Sequence, residues 1–398
     1  MLGTQASIDR QLKNLPKEVI FCKKCVMSNQ RPRLEFDENG VCTACGFAYE
    51  KKHVIDWKDR AQQLQELCDK YRRNDGTYDV LVPCSGGKDS SAVAHKLKHL
   101  YGMHPLTVTW APFVYTDIGM QNYLNFLNSG FTNLIAYPNR HFHRKLARIA
   151  FEAVGDVFLP FIYGQMAYAF HIALQRDIKL VFYGENGEAE YGGSTKNNYR
   201  PYMPLEDWAE IYCKGVTVDD LVEWGLERRM IDESDYDGSD LTFYKPPEVE
   251  DLQGKDIQMH WFSYYHKWVP QENYYYATEH VGFQANPERS EGTYSKYASL
   301  DDKLDGFHYY FSYLKFGICR ATSDAAHEVR DGHLTREDAV ALVHRYDGEF
   351  PKKRFKEFLE YIDITEEKFW EVVDRYRNPN LWEKVNGEWK LKYKVSNL

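Results

Sequence analysis

The sequence predicts an α/β fold: a parallel sheet with helices on both faces, a small cysteine-rich module before it and a helical region after it. Three observations carry this reading. From Tyr78 onward, short apolar runs alternate with segments of helical periodicity. The first run, Val80-Leu81-Val82, leads through Ser85-Gly86-Gly87-Lys88-Asp89-Ser90-Ser91 into helix-forming residues. Upstream, Cys22-x-x-Cys25 and Cys42-x-x-Cys45 stand sixteen residues apart.

Residues 1–20 form a polar lead-in and residues 21–50 the cysteine module. A charged helix is expected from Asp56 to Arg72, with Leu64, Leu67 and Tyr71 on one stripe, until Asn74-Asp75-Gly76 breaks it. Strands at 78–84, 105–110, 132–137 and 178–183 then alternate with helices at 89–101, 117–129, 141–154 and 161–176, as βαβ units require. Later helices are expected at 204–213, 217–230, 271–281 and 301–318, with a strand-like aromatic run at 257–265. The aromatic residues there could stack on sugar rings, but they suit core packing or an interface between copies better, so a homo-oligomer stays open. Thr335 caps a helix to Tyr346; Thr365 caps another bearing Phe369, Val372, Val373 and Tyr376 on one face. Asn386-Gly387 reads as a hairpin turn. These elements divide into 1–50, 51–330 and 331–398.

Paired Cys-x-x-Cys knuckles, with Asn39-Gly40 and Gly46 supplying turns, suit one four-thiolate metal. Zinc held by Cys22, Cys25, Cys42 and Cys45 would be closed and structural; a redox pair or an iron–sulfur cluster is the competing reading. Cys68, Cys84, Cys213 and Cys319 are scattered and expected to stay reduced. With 43% hydrophobic and 27% charged residues the composition is that of a soluble globular protein, and the net charge of −9 argues against a nucleic-acid partner. Neither an apolar leader nor a membrane-length run is present, so a cytoplasmic protein without membrane contact is expected.

The 85–91 loop has the make-up of an anion cradle. Gly86 and Gly87 let the backbone approach a phosphate, Ser85, Ser90 and Ser91 add hydroxyls, Lys88 adds a cation, and Asp89 could serve Mg²⁺. The spacing is not that of the Walker loop. It resembles the PP-loop of the N-type ATP pyrophosphatases, which split ATP into AMP and pyrophosphate and adenylate a substrate oxygen. In an open parallel sheet ligands gather beyond the C-terminal strand ends. Trp110 and Gly184 are therefore expected to join Ser85–Ser91 in binding ATP, and Glu185, with Glu188 and Glu190, to lie beside it. Lys296, Lys315 and Arg320 are candidates to neutralise the departing pyrophosphate.

A narrower resemblance rests on further segments: the paired cysteines upstream of Val82–Ser91, Tyr183-Gly184-Glu185-Asn186-Gly187, Gln271–Tyr276, Glu291–Lys303, Lys315-Phe316-Gly317 through Arg330, and Asp347–Pro351. Together they resemble the N-acetyl sugar amidotransferase family of bacterial surface-polysaccharide (O-antigen and flagellar glycan) synthesis. The resemblance implies a parallel-sheet PP-loop ATP pyrophosphatase core with an N-terminal zinc-ribbon-like module and a helical C-terminal region. It implies ATP, Mg²⁺ and Zn²⁺ as cofactors and conversion of a sugar N-acetyl group to an acetamidino group in lipopolysaccharide O-antigen biosynthesis. Ammonia would come from a separate glutaminase subunit, an expectation that Leu2, where N-terminal glutaminases carry cysteine, fits. Lys88, Asp89, Glu185, Lys296, Lys315 and Arg320 would form the catalytic set, with Glu185 orienting the substrate or taking a proton from ammonia. Two alternatives stand beside this: a PP-loop tRNA-modifying enzyme, for which Cys84 and Cys319 leave a small opening, and a non-catalytic ATP-binding subunit.

Overall fold

Five apolar runs become parallel strands: β1 (Val80–Pro83), β2 (Pro105–Trp110), β3 (Thr132–Ala136), β4 (Leu180–Tyr183) and β5 (Gln258–Trp261), in the order β3-β2-β1-β4-β5. The computed structural model describes residues 7–204 and 213–395. Helices α1 (Thr43–His53) and α2 (Trp57–Tyr71) precede β1; α3 (Lys88–His99), α4 (Asp117–Asn128), α5 (Arg140–Val154) and α6 (Leu159–Arg176) connect the first four strands. After β4 come α7 (Gly187–Tyr191), α8 (Val218–Glu227) and α9 (Val249–Gly254), and after β5 α10 (Phe262–Tyr265) and α11 (Pro270–Val281). The C-terminal region holds α12 (Asp305–Phe316), α13 (Arg320–Asp331), α14 (Arg336–Tyr346), α15 (Phe355–Ile362) and α16 (Glu366–Tyr376) before a hairpin of β6 (Trp382–Val385) and β7 (Glu388–Leu391). The helix expected over 204–213 lies, for 205–212, outside the described residues.

Period-two alternation in β1 divides the core. Leu81 joins Leu106, Val108, Val181 and Met259 against α5, α6 and α8. Its neighbours Val80 and Val82 join Leu180 and Phe182 on the other face, against Leu64 of α2, Val93 and Leu97 of α3 and Phe126 of α4. A sheet covered on both faces explains why the strands read as continuous apolar runs.

The C-terminal helices dock on this body through aromatic packing. Phe151 of α5 meets Phe311 of α12, Phe358 of α15 and Phe369 of α16, with ring centroids 5.0, 5.4 and 5.7 Å away. The N-terminal module likewise shares a core with the far end of the chain, packing Val26, Met27 and Leu34 with Ile318, Ala325, Ala326 and Ala339.

One expected strand is shorter than the sequence suggested. Pairing with β4 ends at Tyr183↔Trp261, and Phe262–Tyr265 coils into a single helical turn, with Ser263 N–H donating to Gly184 O at 2.9 Å. Trp261, Phe262, Tyr265 and Trp268 are buried, so this part of the aromatic run serves the core. In the C-terminal hairpin Asn386 and Gly387 both take positive φ, as its two-residue turn demands.

Candidate active site

The strand order reverses between β1 and β4, which makes the loops after these two strands neighbours at the switch point of the sheet. Ser85–Gly87 follows β1, and Gly184–Asn186 follows β4. At Gly86 φ is +85°, and a Cβ there would come within 2.6 Å of the Tyr123 backbone; only glycine fits this turn. Gly87 is the N-cap of α3, whose first-turn N–H groups open toward the loop. Lys88 pairs with Asp89, and Asn273 Nδ2 on α11 donates to Asp89 Oδ1 at 3.0 Å. The Ser85 hydroxyl donates to Asp301 Oδ2 at 3.4 Å, and Ser90 Oγ to Gly87 O at 3.3 Å. Ser91 is fully buried beside Cys84 Sγ at 3.7 Å, behind the loop.

A hollow of about 150 Å³ lies over Ser85–Asp89, with Tyr297, Asp301 and Arg320 also on its lining. Through Asp89, Ser299, Asp301 and Arg320 it adjoins a cleft of about 610 Å³. Glu185 lines this cleft. Burial, with the Asp89 carboxylate beside it, pushes Glu185 up to about 7, into the range where a carboxyl group both gives and takes protons near neutrality. Burial also raises Asp301 and, well above its usual range, the phenol of Tyr191, whose hydroxyl donates to Glu185 Oε1 at 3.4 Å. Arg320 opens α13 at the junction of hollow and cleft. Burial works against its charge, but Asp324, accepting from Nε at 3.0 Å, and Tyr309 hold it well above its usual value.

The remaining predicted residues do not line the hollow over Ser85–Asp89. Lys315 reaches the cleft wall, but its ammonium is buried, paired with Asp9 and donating to Val154 O at 2.9 Å. Lys296 is exposed and lines a further cleft of about 800 Å³ with Arg289, Lys303, Lys353 and Arg354, which meets the 610 Å³ cleft at Ser299 and Tyr309. Trp110 is buried in the core, packed on Gly164 and ringed by His143, Tyr168 and Tyr244. Gly184 lies against the Trp268 ring, which a Cβ would approach to 2.8 Å. Sequence reasoning missed Asp301, Tyr309, Asn273, Tyr191 and Arg31 as site residues. Asp301, Asn273 and Tyr191 lay inside segments already singled out, Tyr191 next to Glu190; nothing local marked Tyr309 or Arg31.

Residues 291–396 match a family model described as LPS biosynthesis protein WbpG-like, C-terminal domain. The match supports a WbpG-like family of LPS biosynthesis. It points to an enzyme with an LPS-related role. No curated protein matched the chain. The WbpG-like region supplies Asp301, Asp305, Tyr309, Lys315, Arg320 and Asp324 to the cleft. The Ser85–Asp89 side of the site lies upstream of it.

The four module cysteines converge. Cys22 and Cys45 Sγ lie 3.8 Å apart, Cys25 and Cys42 Sγ 3.7 Å, and all four within 4.8 Å of one another. Four sulfurs about 2.3 Å from a tetrahedral zinc would stand about 3.8 Å apart, so the set fits that ion. Backbone N–H groups of Lys24, Cys25 and Cys42 donate to Cys22 Sγ at 3.3–3.5 Å, as a thiolate requires. Buried Arg330 places Nη1 4.0 Å from Cys25 Sγ and donates through Nη2 to Glu190 O at 3.1 Å, where it would offset thiolate charge while tying the module to α7. Among the described residues no helix is long and apolar enough to cross a membrane.

Proposed function

We propose that this chain is an ATP-dependent amidotransferase of LPS O-antigen biosynthesis, converting a sugar N-acetyl group to an acetamidino group. One observation carries the reading: the Ser-Gly-Gly-Lys-Asp loop faces Arg320 across a hollow that adjoins a larger cleft holding Glu185 and walled in part by the WbpG-like region. The loop amides, Lys88 and Arg320 would receive the β- and γ-phosphates of ATP. The acetamido oxygen attacks the α-phosphorus and pyrophosphate leaves. Ammonia attacks the resulting imidoyl carbon, Glu185 takes a proton from it, and AMP departs with the former amide oxygen.

Asp89 is the loop carboxylate suited to Mg²⁺. Four cysteines are the only close-set group of three or more metal ligands among the described residues, so the ion would draw its other oxygens from nucleotide phosphates and water. Zinc in the cysteine module would be structural. A separate glutaminase subunit would supply ammonia. Burial pushes the thiols of Cys84 and Cys319 up, away from thiolate, which favours this reading over thiol-based RNA modification.

The test is incubation of the zinc-loaded chain with ATP, Mg²⁺, an ammonium salt and a panel of N-acetylated nucleotide sugars. AMP release and product mass are followed together. Sugar-dependent AMP with oxygen replaced by NH in the product is expected; AMP formation driven by tRNA and not by any sugar would overturn the proposal.

A further inference from the structure

The cations lining the 610 Å³ cleft are Arg31, Arg33, Lys214, Lys315 and Arg320. Four already have a carboxylate. Arg33 holds Glu188 in a two-pronged pair at 2.6 and 2.9 Å, Lys214 meets Asp156 at 2.5 Å, Lys315 meets Asp9, and Arg320 meets Asp324 at 3.0 Å. Arg31 differs. Among the described residues no carboxylate lies within 4.0 Å of its guanidinium. Its Nε donates to Gly192 O at 2.5 Å and its guanidinium carbon sits 6.0 Å from the Tyr191 ring centroid, while among the described residues the two terminal nitrogens have no acceptor.

Arg31 is therefore oriented but not neutralised. Burial, then the like charges of Arg330 and Arg33, lower its hold on the proton; nearby Glu188 opposes this but is already engaged by Arg33. A guanidinium held by one nitrogen, with its other edge facing a cleft, is arranged to receive two oxygens of a carboxylate or phosphate. The backbone around it is set by the cysteine module: Arg31 N–H donates to Ser28 O at 3.3 Å and Leu34 N–H to Arg31 O at 3.1 Å. Other acids on the lining are Asp89, Asp156 and Asp324, all ion-paired, with Glu185, Asp301 and Asp305.

We propose that Arg31 anchors an anionic group of the sugar substrate, a ring carboxylate or a carrier phosphate, where the cysteine module borders the cleft. This rests on the sugar amidotransferase reading and adds to it a specificity-determining residue contributed by a module otherwise assigned to structure.

Calorimetry on the zinc-loaded full chain tests it with three probes: N-acetylglucosaminuronic acid, N-acetylglucosamine 1-phosphate and neutral N-acetylglucosamine. ATP with Mg²⁺ is titrated in parallel. At least one anionic probe should bind about tenfold more tightly than the neutral sugar, and which one does identifies the source of the charge. Arg31→Met should shrink that preference to within about threefold and leave ATP binding unchanged. Equal binding of all three sugars, no binding of either anion, a preference that survives Arg31→Met, or a loss confined to ATP would each overturn the proposal. Should Arg31→Met fail to fold, judged by zinc content and thermal melting, Arg31→Lys decides. It keeps the charge without the fork and should lose more than about threefold of the preference; a smaller loss overturns the anchor. Arg31-dependent anion binding without AMP formation from any sugar would uphold the anchor and sink the amidotransferase reading instead.

Discussion

Glu185 links the chemistry of the site to the stability of the fold, and Glu185→Gln separates the two. An ordinary Glu titrates near 4.5, whereas burial beside Asp89 holds Glu185 near 7. Between these values the folded chain keeps a proton that the unfolded chain has released. Stability attributable to this group is thus complete below 4.5, declines as pH rises, and is gone above 7. The full shift corresponds to about 3 kcal/mol. Glu185 is only half-buried, and solvent screening reduces this to about 2 kcal/mol. Glutamine preserves the shape and never ionises. Urea unfolding of both proteins, without nucleotide, should therefore show no difference near pH 4.5 and a variant more stable by about 2 kcal/mol at pH 8. Asp347 and Glu328, also pushed up to about 7 by burial, titrate in both proteins and cancel in the comparison. A gap that stays constant with pH, or a variant less stable at pH 8, would refute the argument. The same variant should lose roughly 10²–10⁴-fold in amidination rate if Glu185 takes the ammonia proton.

Lys88→Ala should slow ATP-dependent pyrophosphate exchange roughly 10²–10³-fold; exchange at the normal rate would remove Lys88 from the phosphate site. Gly86→Ala forces a Cβ onto the Tyr123 backbone at positive φ and should destabilise the fold by about 1–3 kcal/mol while weakening ATP binding, both read by melting with and without nucleotide. Cys45→Ser should lower metal content measured by mass spectrometry and expose the shared core with α13 and α14, seen as faster amide exchange there. Lys51→Met strands buried Glu190, now paired at 2.6 Å, and should cost about 3–5 kcal/mol by urea unfolding.

The convergence of the four cysteines and the glycine turn after β1 were legible because each is local. Two cysteine pairs at short spacing, or a Gly-Gly turn between an apolar run and a helix, state their geometry within a few dozen residues. The cleft was not legible. Trp110 sits at a strand end, where a ligand contact was expected, yet its side chain entered the core because Gly164 of α6 leaves room for the ring. Lys315 looked like a free cation until Asp9, from the other end of the chain, met it.

By itself the sequence determined the strand–helix alternation, the glycine turn at 85–87, the four-cysteine set and the caps of the late helices. Each of these depends on periodicity, on backbone freedom or on ligand type within one segment. Only the tertiary structure decided that β4 lies beside β1, that Arg320 closes over the loop after β1, and that Arg31 faces a cleft whose other cations are matched. Those facts depend on which distant charges meet once two faces of one sheet and both ends of the chain are packed, and no local pattern encodes a meeting of that kind.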